Sequence, residues 1–175
     1  MSDLDQEIRQ TIRDIPDFPK EGVVFKDITT VLRDGDLFSR IIDHFAQRYR
    51  DRSVDRIVGI ESRGFIFGAA VAHELQVGLT LVRKPGKLPY DTVGVDYDLE
   101  YGTDRVEMHT DALDGSHRVV ILDDLLATGG TCAATVELVE KLGAEIVETS
   151  FLIELGFLSG REKLAGQEIY SVTCY

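Results

Sequence analysis

The stretch Val119-Val120-Ile121-Leu122-Asp123-Asp124-Leu125-Leu126-Ala127-Thr128-Gly129-Gly130-Thr131 decides the fold. Arg118 to Leu122 is a continuous apolar run after its first residue, the pattern of a strand buried on both faces of a parallel sheet. Asp123 and Asp124 follow at the expected carboxyl end of that strand, where open α/β sheets bind ligands. Small residues from Ala127 onward then lead into a helix expected over Thr131 to Leu142, with Val136, Leu138, Val139 and Leu142 on one side. Small residues let backbone N–H groups approach a ligand closely. A helix N-terminus adds unsatisfied donors and a positive dipole, which favour phosphate. Thr128 and Thr131 supply hydroxyl donors. Carboxylates beside such a cradle suit a sugar phosphate, whose hydroxyls donate to carboxylate oxygens. The run lacks the Gly-Lys-Ser/Thr ending of a Walker loop, and it is not G-x-G-x-x-G. Gly-Gly-Thr alone would equally suit a plain strand-turn-helix junction with an Asp cap; the whole run argues for the ligand site.

Outward from this motif, strands and helices alternate. Arg56 to Ile60 reads as a short strand leading into a small-residue helix, Phe65 to Leu75. Leu79 to Arg83, Arg105 to His109, Glu145 to Ile153 and Ile169 to Thr173 read as further strands. Gly35 to Arg50 is a helix candidate, with Leu37, Ile41 and Phe45 repeating every four residues. The first thirteen residues read as a short amphipathic helix. Two prolines and a glycine keep Ile15 to Gly22 out of regular structure. Lys84 to Gly102 carries Pro85, Pro89 and glycines with no helical period; a connection of that length is usually a functional lid. The pattern predicts an α/β fold: one domain over 1–175, with a central, mostly parallel twisted sheet flanked by helices.

Composition sets the outer bounds. The 175 residues match a prior of one domain at roughly 150 residues each. With 43% hydrophobic and 29% charged residues the chain reads as an ordinary globular protein. No run approaches the roughly 20 apolar residues of a membrane span, and Met1 to Arg13 lacks an apolar signal core. The net charge of -12 argues against a nucleic-acid partner, whose phosphates demand a basic face. Cys132 and Cys174 show no metal-ligand spacing and fit a reduced, cytoplasmic setting. His44, His73, His109 and His117 form no metal or nucleophile arrangement, and Ser62 has no His-Asp pair in view, so hydrolase chemistry is not expected.

The run from Val119 to Thr131 resembles the phosphoribosyl-pyrophosphate (PRPP) signature of the type I phosphoribosyltransferases. Other segments are similar to the adenine phosphoribosyltransferases, in the same order and over about residues 8–174. They are Phe18-Pro19 with Gly22 to Thr29, Glu61-Ser62-Arg63-Gly64-Phe65, Arg83 to Pro89, Leu99-Glu100-Tyr101-Gly102, and Gly160 to Leu164. The resemblance implies a pentosyltransferase that moves ribose 5-phosphate from PRPP to N9 of adenine, yielding AMP and pyrophosphate. It implies a small base-binding hood over about 1–34 and a flexible lid loop over about 84–104. It also implies Mg2+ carried mainly by PRPP, with no direct protein ligand, and a homodimer.

Site roles follow by the same resemblance. Asp123 and Asp124 hold the ribose hydroxyls, and Ala127, Thr128, Gly129, Gly130 and Thr131 hold the 5'-phosphate. Carboxylates near the ring would also stabilise an oxocarbenium-like sugar. Ser62, Arg63, Lys84, Lys87 and Tyr101 meet pyrophosphate, Arg63 with its planar fork. Glu61 has the wrong charge sign for that task. Arg63 and Glu100 are the catalytic candidates, with Glu100 a general acid/base on a lid that keeps water from the cation. Adenine is neutral and flat, and suits an apolar slot with backbone hydrogen bonds. Val24, Phe25 and Lys26 would read and stack on it, with Leu125 and Leu158 as walls. In the wider superfamily the pyrophosphate turn contains a non-proline cis peptide, expected here between Glu61 and Ser62.

Three alternatives stand beside this reading. A PRPP-sensing regulator would need a basic surface or an added DNA-binding domain. A transferase for xanthine or guanine would present a different base-binding segment. A non-catalytic sugar-phosphate module would not need Arg63, Lys84 and Glu100 together.

Overall fold

The computed structural model describes residues 3–98 and 102–175. The chain divides into two compact units, Met1–Phe45 and Ala46–Tyr175. In the first, α1 (Asp3–Thr11) precedes a two-stranded antiparallel sheet of β1 (Arg13–Pro16) and β2 (Val24–Asp27). A short α2 (Thr29–Leu32) follows, and then α3 (Gly35–Tyr49). The expectation of irregular structure from Ile15 to Gly22 is corrected at its start, since Ile15 and Pro16 belong to β1. Charge explains this: Arg13 lies opposite Asp27 and Asp14 opposite Lys26, so two ion pairs of opposite polarity cross the ladder. The Phe18–Pro19 bond in the connecting turn is cis, and Asp17 accepts the Gly22 N–H at 2.8 Å.

The second unit is built on a parallel five-stranded sheet of order β4-β3-β7-β8-β9. Its strands are β3 (Arg56–Ile60), β4 (Gly78–Val82), β7 (Arg118–Leu126), β8 (Glu145–Glu154) and β9 (Ile169–Cys174). Helix α4 (Gly64–Leu75) joins β3 to β4, and α5 (Gly130–Lys141) joins β7 to β8. The first crossover runs toward one edge of the sheet and the second toward the other. Right-handed crossovers therefore put the two helices on opposite faces. Val119, Val120, Ile121 and Leu122 are fully buried, as their continuous apolar run requires. Two 3-10 turns, Gly156–Leu158 and Gly160–Leu164, lie between β8 and β9. Among the described residues no helix is long and apolar enough to cross a membrane.

Two expectations change. The segment expected to be a long lid contains β5 (Thr92–Asp98), paired antiparallel with β6 (Thr103–His109). Val93, Val95 and Tyr97 alternate inward and pack with Val106 and Met108 against the core, a period-two signal that the flanking prolines and glycines obscured. The decisive strand also continues past Leu122 to Leu126, so Asp123 and Asp124 lie within β7. Pairing with β3 ends at Leu122, whereas pairing with β8 runs on to Leu126. One edge of β7 is thus freed at Asp123 while the other remains tied.

A buried ion cluster braces β8. Glu148, with no exposed side-chain surface, accepts from Arg48 Nε at 2.7 Å, Arg52 Nη1 at 2.8 Å and the Tyr49 hydroxyl at 2.7 Å. Burial would raise its carboxyl; the Arg48 guanidinium and the Tyr49 and Ser150 hydroxyls outweigh that and bring it down to about 2. A carboxyl depressed on folding stabilises above the unfolded carboxylate range, and that contribution is lost as pH falls toward the folded value. Glu148→Gln should cost about 2–4 kcal/mol in urea unfolding at pH 7, since it leaves two part-buried guanidinium groups with only the exposed Glu168 as a carboxylate partner. The gap from the parent should shrink between about pH 4 and pH 2.

Candidate active site

The sheet reverses its winding between β3 and β7, and open α/β sheets bind ligands in the crevice at that point. Two segments meet there. One is the turn Glu61-Ser62-Arg63 between β3 and α4; the other runs from Asp123 to the start of α5. They approach so closely that a Cβ on Gly64 would lie 2.8 Å from both the Leu122 carbonyl and Asp123 Oδ1. The Glu61–Ser62 bond is cis, as expected. A crevice of about 280 Å3 is lined by Glu61, Ser62, Arg63, Lys84, Asp123, Asp124, Leu125 and Thr131. Of the expected site residues, it brings together Ser62, Arg63, Lys84, Asp123, Asp124, Leu125 and Thr131.

The electrostatics are those of crowded opposite charges. Arg63 Nε lies 2.6 Å from Asp124 Oδ2. Asp123 Oδ1 accepts the Asp124 backbone N–H at 2.9 Å. Burial and the neighbouring Asp124 charge hold the Asp123 carboxyl well above the ordinary carboxylate range. Asp124 is raised too, by burial, with the Arg63 charge opposing. Glu61 faces Arg83, accepting from its Nε at 3.2 Å, and takes the Lys84 backbone N–H at 2.9 Å. Its carboxyl, which burial would raise, is lowered by Lys84 and Arg83. Glu61 therefore steadies the two basic residues behind the turn, in keeping with its exclusion as an anion ligand.

A smaller cavity of about 90 Å3 is lined by Asp123 and the whole loop Ala127, Thr128, Gly129, Gly130 and Thr131. Gly129 caps α5 with φ of 79°. The 3-10 turn at Gly160 backs this loop: a Cβ on Gly129 would lie 2.4 Å from the Gly160 carbonyl, and one on Gly160 would lie 2.2 Å from the Ala127 carbonyl. Arg161 holds that turn to the end of β8, donating to both Glu154 oxygens at 2.6 and 2.7 Å.

Lys87 and Leu158 line neither cavity. Lys87 is exposed, and its carbonyl accepts from Arg83 at 3.1 Å. Leu158 is exposed in the first 3-10 turn. Val24, Phe25 and Lys26 form β2 in the first unit; Val24 is exposed, Phe25 meets Phe18 edge-on at 5.2 Å, and Lys26 pairs with Asp14. Glu100 and Tyr101 lie outside the described residues. Sequence reasoning missed Tyr97, whose hydroxyl accepts from Thr131 Oγ1 at 3.1 Å and from Lys84 Nζ at 2.7 Å. Its inward alternation with Val93 and Val95 was the available signal. Nothing local in the sequence pairs Arg161 with Glu154.

Residues 28–168 match the phosphoribosyl transferase domain family. An adenine phosphoribosyltransferase of Syntrophotalea carbinolica is 59% identical over 95% of this chain and 98% of that protein. The chain belongs to the adenine phosphoribosyltransferase family. Solved members of the family superpose on it closely. The enzyme of Thermoanaerobacter pseudethanolicus has a TM-score of 0.94 at 52% identity, covering 97% of this chain and 99% of that one. The Saccharomyces cerevisiae enzyme, complexed with D-2,5-dideoxy-2,5-imino-altritol 1,6-bisphosphate and adenine, has a TM-score of 0.92 at 39% identity, covering 98% of this chain and 99% of that one.

The raised Asp123 carboxyl makes a stability prediction with a definite sign. A group whose folded state holds its proton more tightly than the unfolded one loses stability as pH rises above the unfolded value. Asp123→Asn removes that loss. Its thermal midpoint should exceed the parent's at pH 7, and the two should converge near about pH 4, where the unfolded carboxyl is itself half-protonated. A midpoint below the parent's at pH 7 would contradict the burial argument.

Proposed function

We propose that this chain transfers the 5-phosphoribosyl group of PRPP to adenine, giving AMP and pyrophosphate in purine salvage. The observation that carries the proposal is the crevice where Arg63, Asp123, Asp124 and Thr131 converge beside a glycine-rich helix start. In this reading the loop Ala127 to Thr131 holds the 5'-phosphate through backbone N–H groups and the two threonine hydroxyls. Asp123 and Asp124 accept from the ribose hydroxyls and offset positive charge as the bond to pyrophosphate breaks. Ser62, Arg63 and Lys84 receive the departing anion, with Lys87 and Tyr101 assigned to it from the lid. Glu100 serves as general acid/base on the same segment. Val24, Phe25 and Lys26, in a hood over about residues 1–34, are assigned to adenine, as are Leu125 and Leu158.

Magnesium enters this scheme with the substrate, bound to the pyrophosphate of PRPP, where it neutralises leaving-group charge. The donor set supports that arrangement over a resident site, since Asp124 is paired with Arg63. Cytoplasmic residence accords with the two free cysteines. The assembly is assigned as a homodimer; sedimentation at micromolar concentration should give a species of twice the 19.5 kDa chain mass, and a monomer alone would refute it.

The activity is tested with PRPP, magnesium and each of adenine, hypoxanthine, guanine and xanthine. Adenine should give AMP with the highest kcat/KM, and activity should disappear with a chelator. A higher kcat/KM for a 6-oxopurine would overturn the base assignment.

A further inference from the structure

Lys84 lines the crevice with Ser62 and Arg63, and its ammonium is engaged by the β5–β6 hairpin. It forms an ion pair with Asp104 Oδ2 and donates to the Tyr97 hydroxyl at 2.7 Å. That hydroxyl donates to Asp104 Oδ2 at 3.1 Å and accepts from Thr131 Oγ1 at 3.1 Å. A phenol has one proton and two lone pairs, so Tyr97 has its full complement of partners. Asp104 is outside the crevice lining, and its other oxygen takes the Arg105 backbone N–H at 2.7 Å. One carboxylate thus occupies the lysine at the crevice, and one hydroxyl links that lysine to the helix-start threonine.

We propose that Asp104 is an affinity-setting residue: its carboxylate competes with the pyrophosphate group of the substrate for the Lys84 ammonium, which Tyr97 links to Thr131 of the neighbouring loop. The inference rests on the reading of Lys84 and Thr131 given above. Lys84 and Asp104 are each about one-third exposed, at 36% and 32%, so their pair is weak enough to exchange for a more highly charged anion. Pyrophosphate brings several negative charges against one carboxylate. When it departs, Asp104 recovers the lysine and the anion meets a neutralised cation, which favours release. Asp104 therefore lowers affinity while aiding turnover.

The test is calorimetric titration of magnesium pyrophosphate at low ionic strength into the parent, Asp104→Asn, Lys84→Met and the double variant. Asp104→Asn keeps the shape and the Arg105 contact while removing the charge. It should bind about two- to fivefold more tightly than the parent, the range expected for a partly exposed ion pair. That gain should fade in high salt, where exposed charges are screened. It should vanish in the Lys84→Met background, because it acts through that ammonium. In steady state, Asp104→Asn should lower KM for PRPP and lower kcat together, a split that a merely structural role would not produce. Unchanged or weaker binding by Asp104→Asn, or an equal gain without Lys84, overturns the inference. AMP formation by the parent is measured separately: an active parent with no binding gain refutes Asp104 alone, whereas the full binding pattern in a parent that makes no AMP refutes the transferase reading alone.

Discussion

Where β3 gives way to α4, the backbone comes against β7 with no room for a side chain at residue 64. A Cβ there would sit 2.8 Å from the Leu122 carbonyl and from a carboxylate oxygen of Asp123. Much of the site depends on this approach. It sets Ser62 and Arg63 of one βα turn beside Asp123 and Asp124 of the other. It also comes where β7 loses its β3 partner after Leu122 yet keeps β8 to Leu126. A strand tied on one edge only can present carboxylates to a crevice without loss of direction.

The second βα loop is held by a different means. Gly129 packs against Gly160 with a clearance that excludes any larger residue, and the Arg161–Glu154 pair fastens Gly160 to β8. Glu154 is buried and also accepts from Ser171 at 2.7 Å, so β9 joins the brace. Phosphate recognition through backbone N–H groups demands such rigidity, since a displaced loop loses several donors at once. The cost falls on sequence freedom: Gly64, Gly129 and Gly160 each face backbone or carboxylate atoms at distances no side chain permits.

In a protein with net charge -12, the cations Arg63, Arg83 and Lys84 around the crevice are each paired with a carboxylate. Arg63 lies on Asp124, Arg83 on Glu61 and Lys84 on Asp104. Each pair keeps a cation in place at modest energy, since all three cations retain partial exposure. The exception is the Asp123–Asp124 pair, where burial raises both carboxyls and the Asp124 charge adds to the rise at Asp123. That pair destabilises the fold at neutral pH and is the kind of stored electrostatic cost that functional sites carry.

The amino-acid sequence by itself determined the parallel sheet and the place of the glycine-rich loop that opens the following helix. A run such as Val119 to Leu122 has no other stable fate than burial on both faces, and a small-residue helix start following carboxylates is a local pattern. The cis turn at Glu61–Ser62 and the family were legible for the same reason, through contiguous motifs. Tertiary structure alone decided that Lys84 faces Asp104 and Tyr97, that Arg161 reaches Glu154, and that Asp123 lies within a strand. It also decided that Arg13 to Pro16 pairs with Val24 to Asp27, and that Thr92 to Asp98 pairs with Thr103 to His109. These depend on which residues the sheet order and the hairpin registers set opposite each other. Pairing across a ladder joins residues distant in the chain, and no local period records such a partner.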